Sequence, residues 1–175
     1  KIASRFAQVG STPALELTDV ATIVSTAVAY FRKRLPHLGH SVVIEERYEA
    51  VPRVAVHSQL MEWVVENLLK NALDASDKKE GKIAVSVAWR RETREVQIVV
   101  ADNGRGMSPE DRRHAFDTGY TTKRRGWGLG LALARRVVHE YHGGSIAIVE
   151  SAPGRGTTVA VTLPIPPSPA DGHTT

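Results

Sequence analysis

Two asparagines four residues apart, an aspartate followed by paired glycines, and three alternating glycines ahead of an apolar run are the residues here best suited to chemistry. Asn67 and Asn71 lie in ENLLKNALDA, Glu66–Ala75, and their spacing puts both on one side of a helix. Leu60, Val64, Leu68 and Ala75 mark the buried stripe of that helix, and Asn71 falls between Leu60 and Val64 on a helical wheel. A buried amide without a partner costs about 1–3 kcal/mol. Taken singly, Asn71 is explained as a satisfied core amide; two amides in register, beside the signals that follow, favour a ligand pair. A side-chain amide oxygen is a suitable hard ligand for Mg2+, which keeps several waters and takes few protein ligands when phosphates supply the rest.

In VVADNGRGM, Val99–Met107, an apolar strand delivers Asp102 at its end, and Gly104 and Gly106 follow. A carboxylate accepts hydrogen bonds and donates none, so it suits the exocyclic amine of adenine and disfavours a ring carbonyl at that point. The glycines let the backbone turn and approach a flat ring. A plain Asp-Asn-Gly turn accounts for the same residues without any ligand.

The third segment is GWGLGLALARR, Gly126–Arg136, preceded by FDTGYTTK, Phe116–Lys123. Gly126, Gly128 and Gly130 lead into a helix whose free N–H groups and positive dipole end suit a phosphate. Lys123, Arg124 and Arg125 add charge. The spacing matches neither G-x-x-x-x-G-K-[ST] nor G-x-G-x-x-G, so the P-loop and dinucleotide readings fail. A flexible glycine linker is the plain alternative, weakened by the apolar helix that follows. By itself PGRGTTV, Pro153–Val159, reads as a hairpin turn.

The elements that must position these residues follow from periodicity. Apolar spacing predicts helices over 18–34 and Ser58–Ser76, a short helix opened by the capping box Ser108-Pro109-Glu110-Asp111, and a helix over Leu129–Tyr141 stopped by His142-Gly143-Gly144. Strands are expected at His40–Tyr48, Arg53–Val56, Lys82–Trp89, Glu95–Ala101, Ser145–Glu150 and Thr157–Leu163. Residues 117–130 keep no hydrophobic period and read as a long loop, a candidate lid. Hairpins mixed with helices in this order predict an α/β two-layer sandwich.

Composition sets outer bounds. The 175 residues fit one domain with a short appendage, and 42% hydrophobic residues supply an ordinary core. No apolar run approaches a membrane span. Zero cysteines exclude disulfides and thiolate metal sites. A net charge of +4 comes from 23 basic residues scattered among 19 acidic ones, which suits a solvated surface or a site for a polyanionic small molecule better than a nucleic-acid binder.

Taken in order, these segments resemble the ATPase module of sensor histidine kinases, within the group shared with gyrase, the large heat-shock chaperone and the mismatch-repair ATPases. The resemblance covers about residues 18–164. It rests on an N box at Glu66–Ala75, a D-x-G-x-G box at Asp102–Gly106, an F box at Phe116–Lys123, a G-x-G-x-G box at Gly126–Gly130, then His142-Gly143-Gly144 and Gly154-x-Gly156-Thr157. It implies a Bergerat-type fold, a mixed and mostly antiparallel sheet with helices on one face. It also implies ATP and Mg2+ as ligands, with Asn71 holding the metal, Asn67 assisting, and Lys123 beside them at the chemistry. Asp102 would take the adenine amine with support from Thr157. Gly126, Gly128 and Gly130 would form the phosphate end of the lid. Asp74, Gly104, Gly106, Met107, Tyr120, Thr121, Thr122, Leu129 and Leu131 would line the rest of the nucleotide site.

In the hydrolytic relatives a glutamate four residues before the metal asparagine serves as general base. Here that slot is Asn67, whose amide takes no proton at neutral pH, and Glu66 is rotated about 100° around the helix. The resemblance therefore implies phosphoryl transfer to another nucleophile, a histidine on a separate dimerisation domain, which depends on positioning and charge neutralisation. None of the seven histidines has an acceptor context; His139-Glu140 imitates one but sits at the end of the helix after the lid. Residues 1–13 are expected to be the end of a truncated dimerisation helix and its linker, 14–164 the ATP-binding catalytic domain, and 165–175 a disordered tail. Expected partners are ATP or ADP, the histidine-bearing domain and a downstream response regulator. The fragment is expected to be monomeric and cytoplasmic, and its parent homodimeric and compatible with membrane anchoring. An anti-sigma-type serine kinase and a non-kinase ATPase or clamp share the boxes and stand as alternatives.

Overall fold

A computed structural model describes residues 13–35, 42–76, 80–121 and 128–167. A short strand β1, Glu16–Thr18, leads into helix α1, Val20–Arg34. The Asp19 carboxylate accepts from the Ala21 N–H at 3.0 Å, and Arg32, Lys33 and Arg34 sit at the negative dipole end. Strands β2, Val42–Tyr48, and β3, Val54–Val56, precede the long helix α2, Ser58–Ala75. Then come β4, Gly81–Arg90, and β5, Glu95–Asp102, the short α3, Pro109–His114, and α4, Gly130–Arg136, which runs on as a π-helical turn, Val137–Tyr141. Strands β6, Ser145–Ala152, and β7, Gly156–Pro164, complete the order.

Five strands form one sheet in the order β2-β4-β5-β7-β6. Helix α2 connects β2 to β4 as a crossover, which makes that pair parallel, and every other pair is antiparallel. One sheet face carries Ile83, Val85, Val87, Val96, Ile98, Val100, Val159, Val161 and Leu163, all buried against the helices. From α1, Val20, Val24, Ala27 and Val28 close the core, and from α2, Met61, Val64, Val65, Leu68 and Leu69 do so. The result is the expected two-layer α/β sandwich with a mixed, mostly antiparallel sheet and helices on one face.

Several expectations need correction. The segments read as two consecutive early strands do not pair with each other. β3 pairs instead with β1, a strand too short to show a period, in a separate two-stranded sheet. The buried stripe of α2 is wider than expected: Met61, Val65, Leu69, Ala72 and Leu73 belong to it, while Ala75 is only half-buried. β6 extends two residues past Glu150, through Ser151 and Ala152. The expected leading helix at residues 1–9, the helix stop at Pro36 and the start of β2 at His40 lie outside the described residues, as do Thr122, Lys123, Arg124, Arg125 and Gly126 of the lid and the tail from 168.

Candidate functional site

The apolar rows of the sheet give way to a polar one at the strand ends. Asp102 on β5 stands opposite Thr157 on β7, and Thr157 opposite Ser151 on β6. Strand alternation fixes which face they take: Val96, Ile98 and Val100 are buried beneath the helices, so Asp102, two residues on, points the same way. The adjacent row, Val100, Val159 and Ile148, supplies an apolar floor.

The loop after Asp102 is bolted to three elements. The Asp102 carboxylate accepts from the Gly104 N–H at 2.8 Å. The Arg105 N–H donates to the Ala75 carbonyl at the end of α2 (2.9 Å), and a methyl placed on Gly104 would lie 2.3 Å from that same oxygen. The Asn103 side chain accepts from the Lys82 N–H at 2.8 Å and donates to the Glu80 carbonyl, fixing the loop to the start of β4. On the far side the Met107 N–H donates to Ser151 Oγ at 2.9 Å, and the Gly154 N–H to the Arg105 carbonyl at 2.7 Å. Gly106, at φ +68°, leaves no room for a side chain beside the Ala152 carbonyl.

Helix α2 reaches from this loop to the start of α4. Asn67, Asn71 and Ala75 recur every four residues and lie along one side of the helix. Ala75 meets Gly104 at one end. At the other, Asn67 packs so closely on Gly130 that a methyl there would lie 2.6 Å from Asn67 Oδ1. A separation of eight residues, from Asn67 to Ala75, spans about 12 Å along the axis, of the order of a nucleoside triphosphate. The Asn67 amide nitrogen is buried and finds no hydrogen-bond partner among the described residues, an uncommon expense for an interior polar group. It is a donor without an acceptor, facing the glycine that opens α4, and a phosphate oxygen would satisfy it.

The stem of the lid is closed by the Gly119 N–H donating to the Gly128 carbonyl at 3.0 Å. Leu129 caps α4 with no side-chain hydrogen bond, leaving the N-terminal N–H groups of that helix to other acceptors. Leu131, half-buried, packs against the core, as does Met107. The Tyr120 hydroxyl donates to Asp111, whose other oxygen closes the capping box of α3 through Ser108. This bond pushes the Tyr120 phenol up to about 12 and holds the Asp111 carboxyl below its ordinary value. Thr121 is exposed at the stem.

The contacts above join Asn67 to Gly130, Ala75 to Gly104, and Gly106 and Met107 to the end of β6, while the strand register sets Asp102 beside Thr157; Asn71 lies on the same side of α2 as Asn67 and Ala75. Two expected residues stand apart. Asp74 is exposed and pairs with Lys70 at 2.8 Å, and the Tyr120 hydroxyl is turned to α3. Ser151 is a site residue that sequence reasoning missed. A β-bulge between Ile148 and Glu150 shifts the alternation, so that Ser151 and not Glu150 faces inward opposite Thr157. A cleft of about 450 Å3, lined by Pro109, Arg112, Arg113 and Ser151, adjoins this end of the sheet. Among the described residues no group of three or more His, Cys, Asp or Glu could hold a metal, so Asn71 fits a magnesium ion only as one ligand to an ion carried in by phosphates.

His142 completes the scaffold. It is buried; the His57 N–H donates to its Nε2 at 3.1 Å, and its Nδ1 lies 2.8 Å from the Val137 carbonyl, which requires the proton on Nδ1. Burial holds its pKa below the ordinary histidine range. The side chain joins the start of α2 to Val137, the first residue of the π-helical turn.

Comparison with known proteins gives a consistent picture. The sequence model of the family described as histidine kinase-, DNA gyrase B-, and HSP90-like ATPase matches residues 57–167. The chain is 37% identical over 147 residues to the methanogenesis regulatory histidine kinase FilI of Methanothrix harundinacea, covering 82% of this chain and 16% of FilI. It is 39% identical over 116 residues to the sensor histidine kinase ZraS of Klebsiella oxytoca, covering 66% of this chain and 24% of ZraS. This chain therefore spans less than a quarter of the length of either. Among solved structures, the catalytic domain of histidine kinase ThkA superposes with a TM-score of 0.75 at 21% identity, over 87% of this chain and 96% of that one. The mycobacterial sensor histidine kinase MprB gives 0.71 at 25% identity, over 88% and 99%.

Proposed function

The chain belongs to the histidine kinase-, DNA gyrase B-, and HSP90-like ATPase family, as an ATP-binding catalytic domain of the sensor histidine kinase kind, and from that premise we propose that it binds Mg-ATP across the groove and donates the γ-phosphoryl group to a histidine on a separate dimerisation domain. The observation that carries this reading is the double seating of α2. One helix touches the loop after Asp102 through Ala75 and the start of α4 through Asn67. This double seating supports reading the loop that carries Asp102 as the base end, and the start of α4 as the phosphate end, of one nucleotide site.

The residues divide the work by chemistry. Asp102 accepts the exocyclic amine of the base, with Thr157 beside it, and the backbone at Gly104 and Gly106 lies against the ring. The Asn67 amide N–H and the uncapped start of α4 at Gly128, Leu129 and Gly130 donate to phosphate oxygens. Lys123, Thr121 and Thr122 supply charge and hydrogen bonds from the lid. The Asn71 amide oxygen is one ligand of the magnesium ion, which when bound neutralises charge on the triphosphate. Because the slot for a hydrolytic base is Asn67, which carries no proton-accepting carboxylate, water is poorly activated and the phosphoryl group is kept for the incoming imidazole.

The test mixes this chain with the acceptor helical domain encoded by the same gene, ATP and Mg2+. Acid-labile phosphate is expected on the acceptor; acid-stable phosphoserine would assign the chain to a serine kinase instead. A response regulator with a receiving aspartate is the next partner in this reading, and a homodimeric parent brings the acceptor helices together.

A further inference from the structure

We propose that Tyr120 is a positioning residue whose hydroxyl, bound to Asp111, sets the start of α4 at the phosphate end of the site. The inference rests on the nucleotide reading above and deepens it. Tyr120 acts through the backbone of the stem, because its hydroxyl is spent on α3.

The two sides of the stem meet backbone to backbone. Gly119 and Gly128 both take positive φ, +84° and +62°. A methyl on Gly128 would lie 2.5 Å from the Tyr120 carbonyl oxygen and 2.5 Å from the Gly119 carbonyl carbon, so glycine alone fits there. The Gly119 N–H donates to the Gly128 carbonyl at 3.0 Å. Where Tyr120 sits, Gly128 must follow. Two residues on, Gly130 packs against Asn67. The start of α4 is therefore held by α2 on one flank and by the stem on the other.

The stem in turn is held by α3. The Tyr120 ring lies beside that of His114, with centroids 5.6 Å apart, and its N–H donates to the Asp117 carbonyl at 3.2 Å. The hydroxyl reaches further, to the Asp111 carboxylate in the first turn of α3. Helix α3 is itself tied to the sheet, since the Arg112 guanidinium donates to the Ile148 and Val149 carbonyls of β6 at 3.0 and 3.2 Å. A hydroxyl-to-carboxylate bond is charge-assisted and directional. It fixes an angle that the ring contact with His114 leaves open.

The consequence is selective. Displacing Gly128 turns the N–H groups at the start of α4 away from the phosphates. Asp102 and Thr157 are paired across β5 and β7, and the loop after Asp102 is tied to Ala75, contacts that do not pass through Tyr120. Loss of the hydroxyl should weaken binding of the triphosphate and leave binding of the nucleoside alone.

Titration of this chain with Mg-ATP by calorimetry, and with adenosine by NMR chemical shift, which reads millimolar affinities, tests the proposal. Tyr120→Phe is expected to weaken ATP about fivefold with adenosine unchanged. Ser108→Ala removes the hydroxyl that caps α3 and leaves the Tyr120 to Asp111 bond in place. It should lower the melting temperature and keep the ATP-to-adenosine ratio. In an Asp111→Ala background Tyr120→Phe should change the ratio no further; if that background does not fold, the comparison of Tyr120→Phe with Ser108→Ala decides alone. Equal weakening of both ligands by Tyr120→Phe, or no weakening of either, overturns the proposal. So does a ratio that falls as far in Ser108→Ala. Failure of the unaltered chain to bind ATP and adenosine overturns the nucleotide reading itself.

Discussion

Replacing Asp102 by alanine removes the carboxylate at the end of the polar row, and with it the proposed acceptor for an exocyclic amine. ATP affinity measured by calorimetry is expected to fall ten- to hundred-fold, about 1.5–3 kcal/mol; unchanged affinity would take Asp102 out of the site. The same carboxylate accepts from the Gly104 N–H, so part of its role is to hold the turn. Asp102→Asn keeps an oxygen for that turn and loses the charge, which separates the two effects. Asn67 is the complementary case at this scale. Its buried amide nitrogen lacks a partner among the described residues, and a structure tolerates such a group where a ligand supplies the missing bond.

Helices α2 and α4 meet where Gly130 approaches Asn67, and that contact separates folding from binding. Gly130→Ala introduces no strained backbone and favours the helix, yet its methyl would displace the Asn67 amide. We expect a melting temperature close to that of the unaltered chain and ATP binding weakened several-fold. A variant with full affinity would show that Asn67 does not contact phosphate. At the other end of α2, His142 ties the His57 N–H to the Val137 carbonyl in its neutral form. Because burial lowers its folded-state pKa, the unfolded chain takes up the proton first as pH falls. Its contribution is present above the ordinary histidine pKa of about 6.5 and is lost as pH drops below that. Urea midpoints measured from pH 8 to pH 5 should decline through that window, and the decline should flatten in His142→Phe; an equal decline in the variant would place the titration elsewhere. Neutral Nε2 accepts from the backbone and protonated Nε2 cannot, so the joint opens at the start of α2.

Across the whole molecule, the groove draws on one helix layer and one sheet end, so a bound nucleotide ties both layers of the sandwich together. Ligand that binds only the folded chain stabilises it by about 2.7 kcal/mol at a hundred times its dissociation constant. For a chain of this size that corresponds to a rise in melting temperature of roughly 5–10 °C. Differential scanning fluorimetry with Mg-ATP should show such a rise, and chelating the magnesium should remove most of it. A rise that survives chelation would sink the assignment of Asn71 to the metal. Among the described residues no helix is long and apolar enough to cross a membrane.

Much of this was legible in the sequence because the features concerned are local. An i,i+4 pair of asparagines, a strand ending in Asp102, a capping box at Ser108 and a glycine stop after His142 are each set by spacing along one element, and the structure keeps all of them. The pairing of strands is not local. Nothing in residues 42–56 announces that β2 runs parallel to β4 while β3 leaves for β1, because that choice is made by the packing of α2 across the sheet. Nor could alternation place Ser151: one extra residue in β6 reverses which side chains face inward, and the partner strand alone decides where that residue is accommodated. The orphaned Asn67 nitrogen is of the same kind, since burial is a property of what two distant segments enclose between them. Composition and period determined the elements and the chemistry each can carry; tertiary contact decided which of those groups share a groove, and which is left there without a partner.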